Sequence, residues 1–209
     1  MSKLVLDVLK ATFPEAVLET HAQFGDDTAV VDPAMWRPIA RFLKDDTRTS
    51  MSMFIDLTAV DYVGLALPRF EVVLHLRSLE RGHRVRLKAR VGDEDGTGAE
   101  IDSLVSVWKG ANWFEREAYD LMGIVFRGHP DLRRILMYPE FVGHPLRKDY
   151  PVDRIQPLVP FRKEAIDKLP PFGQDEGKPW GRQEHDFHRA EDTPLHGAHV
   201  PGPTERGTN

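Results

Sequence analysis

Two acidic residues in the middle of the chain have the spacing of a small chemical site. In a helix that begins near Asn112, Trp113, Glu117 and Asp120 stand at positions i, i+4 and i+7 and so share one face. Paired carboxylates on one face can act as a general acid and base or hold a hard cation. Arg116 and Asp120 are also four residues apart, and an ion pair there explains the same pattern. With no His on this helix, the pattern favours ion pairing over catalysis.

Residues 126–150 form a segment rich in basic and imidazole side chains and interrupted by Pro and Gly. Such a segment suits docking on a carboxylate or phosphate surface, because guanidinium groups bind both through paired hydrogen bonds. A small-molecule phosphate site is disfavoured, since no glycine-rich loop opens a helix and residues 92–98 (GDEDGTG) are acidic. The basic and imidazole residues are Arg127, His129, Arg133, Arg134, His144, Arg147 and Lys148.

The C-terminal residues, 152–209, are predicted to be an extended, proline-rich tail. From residue 151 onward there are nine of the 16 prolines and only 15 apolar residues, too few for a separate core. His185, His188, His196 and His199 invite a metal-site interpretation, but the helical context of a zinc-protease motif is missing. We therefore expect no metal site in the tail, and expect it to become ordered only against a partner.

The composition excludes several classes of protein. The 209 residues are 41% hydrophobic and 29% charged, as in a soluble globular protein, and the net charge of -5 disfavours a dedicated nucleic-acid binder. There is no Cys, so this chain can hold no disulfide, thiolate zinc site or cysteine-ligated iron–sulfur cluster. Charges interrupt the N-terminal apolar residues, and no run is long enough for a membrane span. These features predict a cytoplasmic protein.

The first half of the chain shows alternating helix and strand patterns. Residues 2–13 have a helical apolar stripe that Pro14 ends, and residues 32–44 form a second helix whose Asp-Pro start resembles a cap. Residues 28–31 and 51–61 are rich in apolar and β-branched residues and are predicted strands.

Residues 69–77 and 83–91 show the clearest strand pattern. Apolar residues alternate with polar ones in both segments, and the short linker predicts an antiparallel hairpin. The polar side of the second strand is a basic stripe, which favours a solvated face over a partner-facing one. A nucleic-acid role for it is disfavoured because no aromatic residues are interleaved for base stacking. The stripe consists of Arg84, Arg86, Lys88 and Arg90.

Helical patterns return after residue 98. Residues 101–108 fit a short helix, and Asn112 with Glu115 forms a capping box for a helix that Gly123 ends. Helices packed on one face of a mostly antiparallel or mixed sheet predict a two-layer α+β fold with an extended C-terminal tail. We divide the chain into an α+β domain (1–125), a basic arm (126–151) and the tail (152–209).

Three motifs in the second half carry a specific family resemblance. They are residues 115–126 (EREAYDLMGIVF), 128–136 (GHPDLRRIL) and 143–151 (GHPLRKDYP). With them, the chain resembles the 30 kDa subunit of respiratory complex I, known in bacteria as the C subunit, over about residues 51–151. The upstream segments 54–62 (FIDLTAVDY) and 69–73 (RFEVV) also resemble that family.

The resemblance implies a peripheral-arm subunit of proton-pumping NADH:quinone oxidoreductase, peripheral on the cytoplasmic side of the cell membrane. FMN and iron–sulfur clusters would lie in partner subunits, with no cofactor, metal or catalytic residue in this chain. The expected partners are the 49 kDa-type subunit and the small cluster-bearing subunits near the quinone site, with no nucleic acid. The expected docking residues are Glu115, Arg116, Glu117, Asp120, His129, Arg133, Arg134, His144, Arg147, Lys148 and Asp149.

Two alternatives remain open. A membrane-bound hydrogenase-type complex uses a similar scaffold subunit and would differ in its partners. A free-standing carboxylate enzyme based on Glu117 and Asp120 would be active in isolation and would require a divalent metal ion.

Overall fold

The computed structural model describes residues 3–158, within which residues up to Pro157 form one compact unit. The helices of this range are α1 (Lys3–Thr12), α2 (Trp36–Asp45) and α3 (Ala111–Met122). Its strands are β1 (Val17–His21), β2 (Thr28–Val31), β3 (Met53–Asp61), β4 (Phe70–Arg77), β5 (Arg84–Val91), β6 (Glu100–Asp102) and β7 (Val125–Arg127). The four tail histidines lie outside the described residues, as does the tail beyond residue 158.

The two predicted N-terminal helices are confirmed. Of the predicted stripe of α1, Val5, Val8 and Leu9 are buried, whereas Leu4 is 48% exposed and Leu6 is buried instead; the helix ends before Pro14. Asp32 caps the second helical segment, since its carboxylate accepts a hydrogen bond of 2.8 Å from the amide of Ala34. A single 3₁₀ turn (Pro33–Met35) comes before α2. The stripe buried by α2 is Trp36, Ile39, Ala40 and Leu43.

Five strands form a mixed sheet in the order β1-β2-β5-β4-β3. The predicted hairpin of β4 and β5 is confirmed, with Phe70 opposite Val91 and Arg77 opposite Arg84. Strand β2 lies parallel to β5. Strand β1 is not predicted by the sequence, because none of its residues is buried and their apolar and polar side chains do not alternate. The predicted α+β fold is confirmed.

Strand β4 is buried on both faces, which its alternating sequence does not predict. Its apolar face packs in the core, while Glu71 on the other face is only 1% exposed. Lys88 and Arg90 of the basic stripe pair with that carboxylate at 2.8 and 3.3 Å, and Arg86 pairs with Asp26 at 2.8 Å. Much of the stripe is therefore neutralised within the chain.

The helix predicted at residues 101–108 is wrong. Ile101 lies in the short strand β6, opposite Phe126 in a parallel pair with β7, and the following residues form a turn. The apolar spacing arises instead from a strand followed by a turn, both packed into the same core.

The capping box predicted for α3 is also wrong, although the helix itself is confirmed. No side chain caps its first turn, and the Glu115 carboxylate accepts hydrogen bonds from Ser103 Oγ and the Leu104 amide, both at 2.6 Å. Gly123 ends the helix with φ of +79°, as predicted. Within residues 3–158, no helix has the length and apolar character that a membrane crossing requires.

Candidate interaction surface

Asp120 anchors the basic arm, residues 126–151, to helix α3. Its side chain is fully buried, and one carboxylate oxygen accepts from the amides of Ile135, Leu136 and Met137 at 3.0, 2.8 and 2.8 Å. The other oxygen accepts from Arg134 Nη1 at 2.9 Å. Burial by itself would raise the pKa of Asp120, but these four donors outweigh it and lower the pKa. The carboxylate is therefore an ionised structural clamp.

Arg116 makes a second connection between α3 and the arm. Its guanidinium donates to the carbonyl oxygens of Arg133 and Arg134, both at 3.0 Å, and lies over the ring of Trp113. The predicted Arg116–Asp120 ion pair is therefore wrong, because each group binds the arm instead. Their four-residue spacing on α3 gives no indication that both side chains bind the arm instead of each other.

Glu117 and Asp120 do not form a paired-carboxylate site on α3, the alternative that their spacing left open. Trp113 is 61% exposed and Glu117 is exposed, whereas Asp120 is completely buried. Asp120 is fully buried and its carboxylate binds four donors of the arm, so it is not exposed to a substrate or a cation. The described residues contain no group of three or more His, Asp or Glu side chains placed to hold a metal ion.

Glu115 is a buried acid that faces the protein interior. Burial raises its pKa to about 7, and the hydrogen bonds from Ser103 and Leu104 offset only part of that effect. The group holds the turn after β6 against α3, and its carboxylate is inaccessible within this unit. Its docking role stays a prediction.

Arg69 is the centre of a network that sequence analysis misses. Its side chain is 1% exposed and forms two hydrogen bonds of 2.8 Å each with Asp61. It also binds Asp149 of the arm at 3.0 and 2.9 Å and the Glu94 carbonyl at 3.1 Å. Residues 69 and 149 belong to distant segments, so no local pattern could have indicated this contact.

Asp61 completes the attachment of the arm to the sheet. It accepts hydrogen bonds from the amides of Lys148 at 2.8 Å and Val63 at 3.0 Å, as well as from Arg69. Burial would raise the pKa of Asp61, but Arg69 and the two amides together lower it to about 2. Asp61 is therefore ionised whenever the protein is folded near neutral pH.

Arg147 and His144 pack against the end of α3. Arg147 Nε donates to the Met122 carbonyl at 2.7 Å, and its guanidinium lies over the ring of Phe70. Burial and then the charges of Arg147 and Arg134 lower the pKa of His144, so its ring is neutral near pH 7. In that state its Nδ1–H donates to the Asp120 carbonyl at 2.9 Å.

The predicted docking residues thus divide into two groups. One group is occupied in holding the arm to the domain or the turn after β6 to α3: Glu115, Arg116, Asp120, Arg134, His144 and Arg147. His129 is half-buried and contacts the Asn112 carbonyl at 3.3 Å. The other group has exposed side chains: Glu117, Arg133, Lys148 and Asp149, of which Asp149 also holds the arm to the domain through Arg69.

Comparisons with known proteins agree on one family. A family model described as the 30 Kd subunit of respiratory-chain NADH dehydrogenase matches residues 29–156. The C subunit of NADH-quinone oxidoreductase from Geobacter sulfurreducens is 48% identical over 144 residues, 69% of this chain and 86% of that protein. Its counterpart from Roseiflexus sp. (strain RS-1) is 40% identical over 171 residues, 82% of this chain and 96% of its own length. A solved structure, the trypsin-resistant fragment (1-134) of Nqo5, is 28% identical with a TM-score of 0.51, covering 62% of this chain and 98% of that one.

Proposed function

Since the chain belongs to the family of the respiratory-chain NADH dehydrogenase 30 Kd subunit and is part of a NADH-quinone oxidoreductase complex, we propose that it docks onto neighbouring subunits of that complex. In this proposal the chain carries no electrons itself. FMN and iron–sulfur clusters in neighbouring subunits carry them, since a chain without Cys offers no thiolate ligand for a cluster.

The attachment of the arm is the observation that carries the proposal. Buried carboxylates and arginines of the chain itself hold residues 126–151, so these polar groups need no partner subunit to satisfy them. The outer side of the same arm exposes Leu136, Val142 and Leu146 at 57, 46 and 52%. Exposed apolar side chains among exposed charges are typical of a docking surface.

We assign the partners and the location by family. The arm would contact the 49 kDa-type subunit and the small cluster-bearing subunits near the quinone site, on the cytoplasmic side of the cell membrane. Residues 1–125 would be the domain that presents the arm. The tail beyond 151 would extend onto the same neighbours. Limited proteolysis should cut the tail more slowly in the complex than in the free chain, and equal rates would contradict that contact.

Purification of the tagged chain from mildly solubilised membranes tests the proposal. We expect flavin- and cluster-bearing subunits in the eluate, together with NADH:quinone reductase activity that a quinone-site inhibitor blocks. A hydrogenase-type large subunit would keep the docking role but change the electron donor. A chain that elutes alone would contradict the docking role.

Charge reversal on the arm tests which surface docks. The double variant Arg133→Glu with Lys148→Glu changes two exposed side chains and leaves the backbone contacts of both residues in place. We expect about a fivefold or greater loss of co-purified complex, from like-charge repulsion at a polar rim. Arg41→Glu, an exposed position on α2, is the matched control. Equal recovery of variant and control would place the interface elsewhere.

A further inference from the structure

The buried Arg69 uses all of its hydrogen-bond donors within the chain. Its Nε and Nη2 each donate to Asp61, and its Nη1 and Nη2 each donate to Asp149. Nη1 also donates to the Glu94 carbonyl, so all five N–H groups of the guanidinium are bound. Asp61 is saturated as well, because it accepts two further hydrogen bonds from backbone amides. Of these three side chains, Asp149 alone keeps lone pairs for another donor.

The same network has a net negative charge. Two carboxylates surround one guanidinium, and both are ionised near pH 7, since hydrogen bonds from Arg69 lower the pKa of Asp149 and Asp61 has a pKa of about 2. The excess charge lies at Asp149, whose side chain is 53% exposed. Arg147 and Lys148, the cations next to it in sequence, form no ion pair with a carboxylate of residues 3–158. Asp149 is therefore suited to a cation from outside the chain.

A cavity adjoins this network. Its volume is about 330 Å³, and it is lined by residues 63–67, Arg69 and Glu94. Because Arg69 Nη1 binds both the Asp149 carboxylate and the Glu94 carbonyl, Asp149 lies at the rim of the cavity. The volume is at the lower end of the roughly 300–1,000 Å³ of small-molecule sites. It suits one long side chain better than a cofactor.

The wall of the cavity is apolar. Leu65 and Leu67 are 83 and 64% exposed, although they lie directly beside the buried network. Lys and Arg pack their alkyl chains on apolar surface of this kind and direct the charged group toward polar surroundings. A basic side chain would therefore cover both leucines and reach Asp149 with the same residue.

The turn beside the cavity adds negative charge. Asp93, Glu94 and Asp95 are exposed, and none of them forms an ion pair in the part of the chain that the structure describes. This charge favours a basic group over an acidic one. A bound metal ion is disfavoured, because the described residues contain no group of three or more His, Asp or Glu side chains placed to hold one.

We propose that the cavity beside Arg69 binds a Lys or Arg side chain of a neighbouring oxidoreductase subunit, with its charged group on Asp149. The inference rests on the proposed docking role and identifies the chemistry of one contact. The alkyl chain packs against Leu65 and Leu67, and the ammonium or guanidinium group donates to the outer lone pairs of the Asp149 carboxylate. Arg69 positions that carboxylate from the interior of the domain.

Site-specific photocrosslinking in the assembled complex tests the occupant. A benzoylphenylalanine in place of Leu65 should crosslink to another subunit, at a segment that contains Lys or Arg. The same group at the exposed position Glu15, distant in sequence from the cavity, is the control and should not link to that segment. No crosslink from position 65, a link to this chain or a second copy of it, or a link to a segment without Lys and Arg would each overturn the proposal.

Neutralising Asp149 tests the charge. Asp149→Asn keeps an acceptor for Arg69 and should lower recovery of the complex about tenfold, through loss of the charged contact. Asp26→Asn is the matched control, since Asp26 is 55% exposed and pairs with Arg86 at 2.8 Å. It should leave recovery unchanged, and equal recovery of the two variants would contradict the contact.

A double-mutant cycle separates the contact from a folding defect. The basic residue that crosslinking identifies is replaced by Gln, alone and together with Asp149→Asn. If the two groups bind each other, the double variant should lose no more recovery than Asp149→Asn alone. Losses that multiply would show that the two residues act independently and would overturn the contact.

The two proposals fail differently. If the unaltered chain does not co-purify with other subunits, the docking role is wrong. If the unaltered chain co-purifies and the Asp149→Asn variant does so equally well, only the contact at Asp149 is wrong.

Discussion

Arg69 of the sheet and Asp149 of the arm are joined by two hydrogen bonds of 3.0 and 2.9 Å across 80 residues of sequence. Arg69 is almost fully buried, whereas the Asp149 side chain is 53% exposed. The arm is therefore attached to the buried Arg69 through the carboxylate of Asp149, which also reaches the surface of the protein. This contact, with Asp61 on the other side of Arg69, decides where the end of the arm lies.

Asp61→Asn should destabilise the protein strongly. The substitution leaves the buried Arg69 with only the half-exposed Asp149 as counter-charge, and breaking a buried pair costs about 3–5 kcal/mol. Urea unfolding of the full chain measures the effect. Asp46→Asn, which breaks an exposed pair with Arg48, should cause no comparable change, and similar losses for both variants would contradict the assigned role.

The same carboxylate should contribute to acid unfolding. Its pKa of about 2 in the folded state is below the ordinary 3.8, so its contribution to stability is complete above about pH 4 and is lost as the pH falls toward 2. The Asp61→Asn variant should lack this part of the pH dependence, as measured by urea unfolding between pH 2 and 5. An unchanged slope would show that folding does not lower the pKa of Asp61.

Glu115→Gln should change the pH dependence in the opposite sense. The folded-state pKa of about 7 is above the ordinary 4.5, so the folded protein binds the extra proton and its stability falls as the pH rises from about 4.5 to 7. A Gln side chain cannot ionise and can still bond to Ser103 and Leu104. The variant should therefore flatten the unfolding free energy across this range, whereas the exposed Glu117→Gln should not.

Asp120→Ala should release the arm. The substitution leaves three backbone amides and Arg134 without their acceptor, and each unsatisfied buried donor costs about 1–3 kcal/mol. We expect a loss of several kcal/mol and faster proteolysis within residues 128–150. Proteolysis no faster than in the unaltered chain would contradict the clamp.

Gly123→Ala should be more damaging than a matched glycine substitution. A Cβ at this position would lie 2.5 Å from Arg147 Nη2 and 2.7 Å from the His144 ring, in addition to the strain at φ of +79°. Gly64 has a similar φ of +69° but no atom within 4 Å of its Cβ position. We expect about 1–2 kcal/mol for Gly64→Ala and about 1–3 kcal/mol more for Gly123→Ala. Equal thermal unfolding of the two variants would contradict the close packing.

The regular elements could be predicted because their signals are local. Packing of one face in the apolar core produces the alternation in residues 69–77 and 83–91 and the apolar stripe of α2, and Gly123 supplies the left-handed turn that ends α3. Strand β1 and the turn after β6 could not be predicted, because the first shows no alternating burial and the second has apolar residues at helical spacing.

The candidate site could be predicted only in part. The motifs at residues 115–126 and 143–151 indicate the family and its docking segment. They do not tell which charged side chains face a partner and which face the protein. Glu115 has the spacing of a helix cap, yet it is buried against Ser103. Because either role requires the same residue type, the residue type does not distinguish the two roles.

By itself, then, the sequence determined the α+β class, the position of most helices and strands, the family and the lack of thiolate chemistry. Each of these follows from residue type or from spacing within one segment. Only the tertiary structure decided the partners of Asp61, Asp120 and Arg69, because these are backbone amides and side chains from distant segments. Backbone amides are the same at every non-proline position, so no pattern of side chains could show that three of them converge on Asp120.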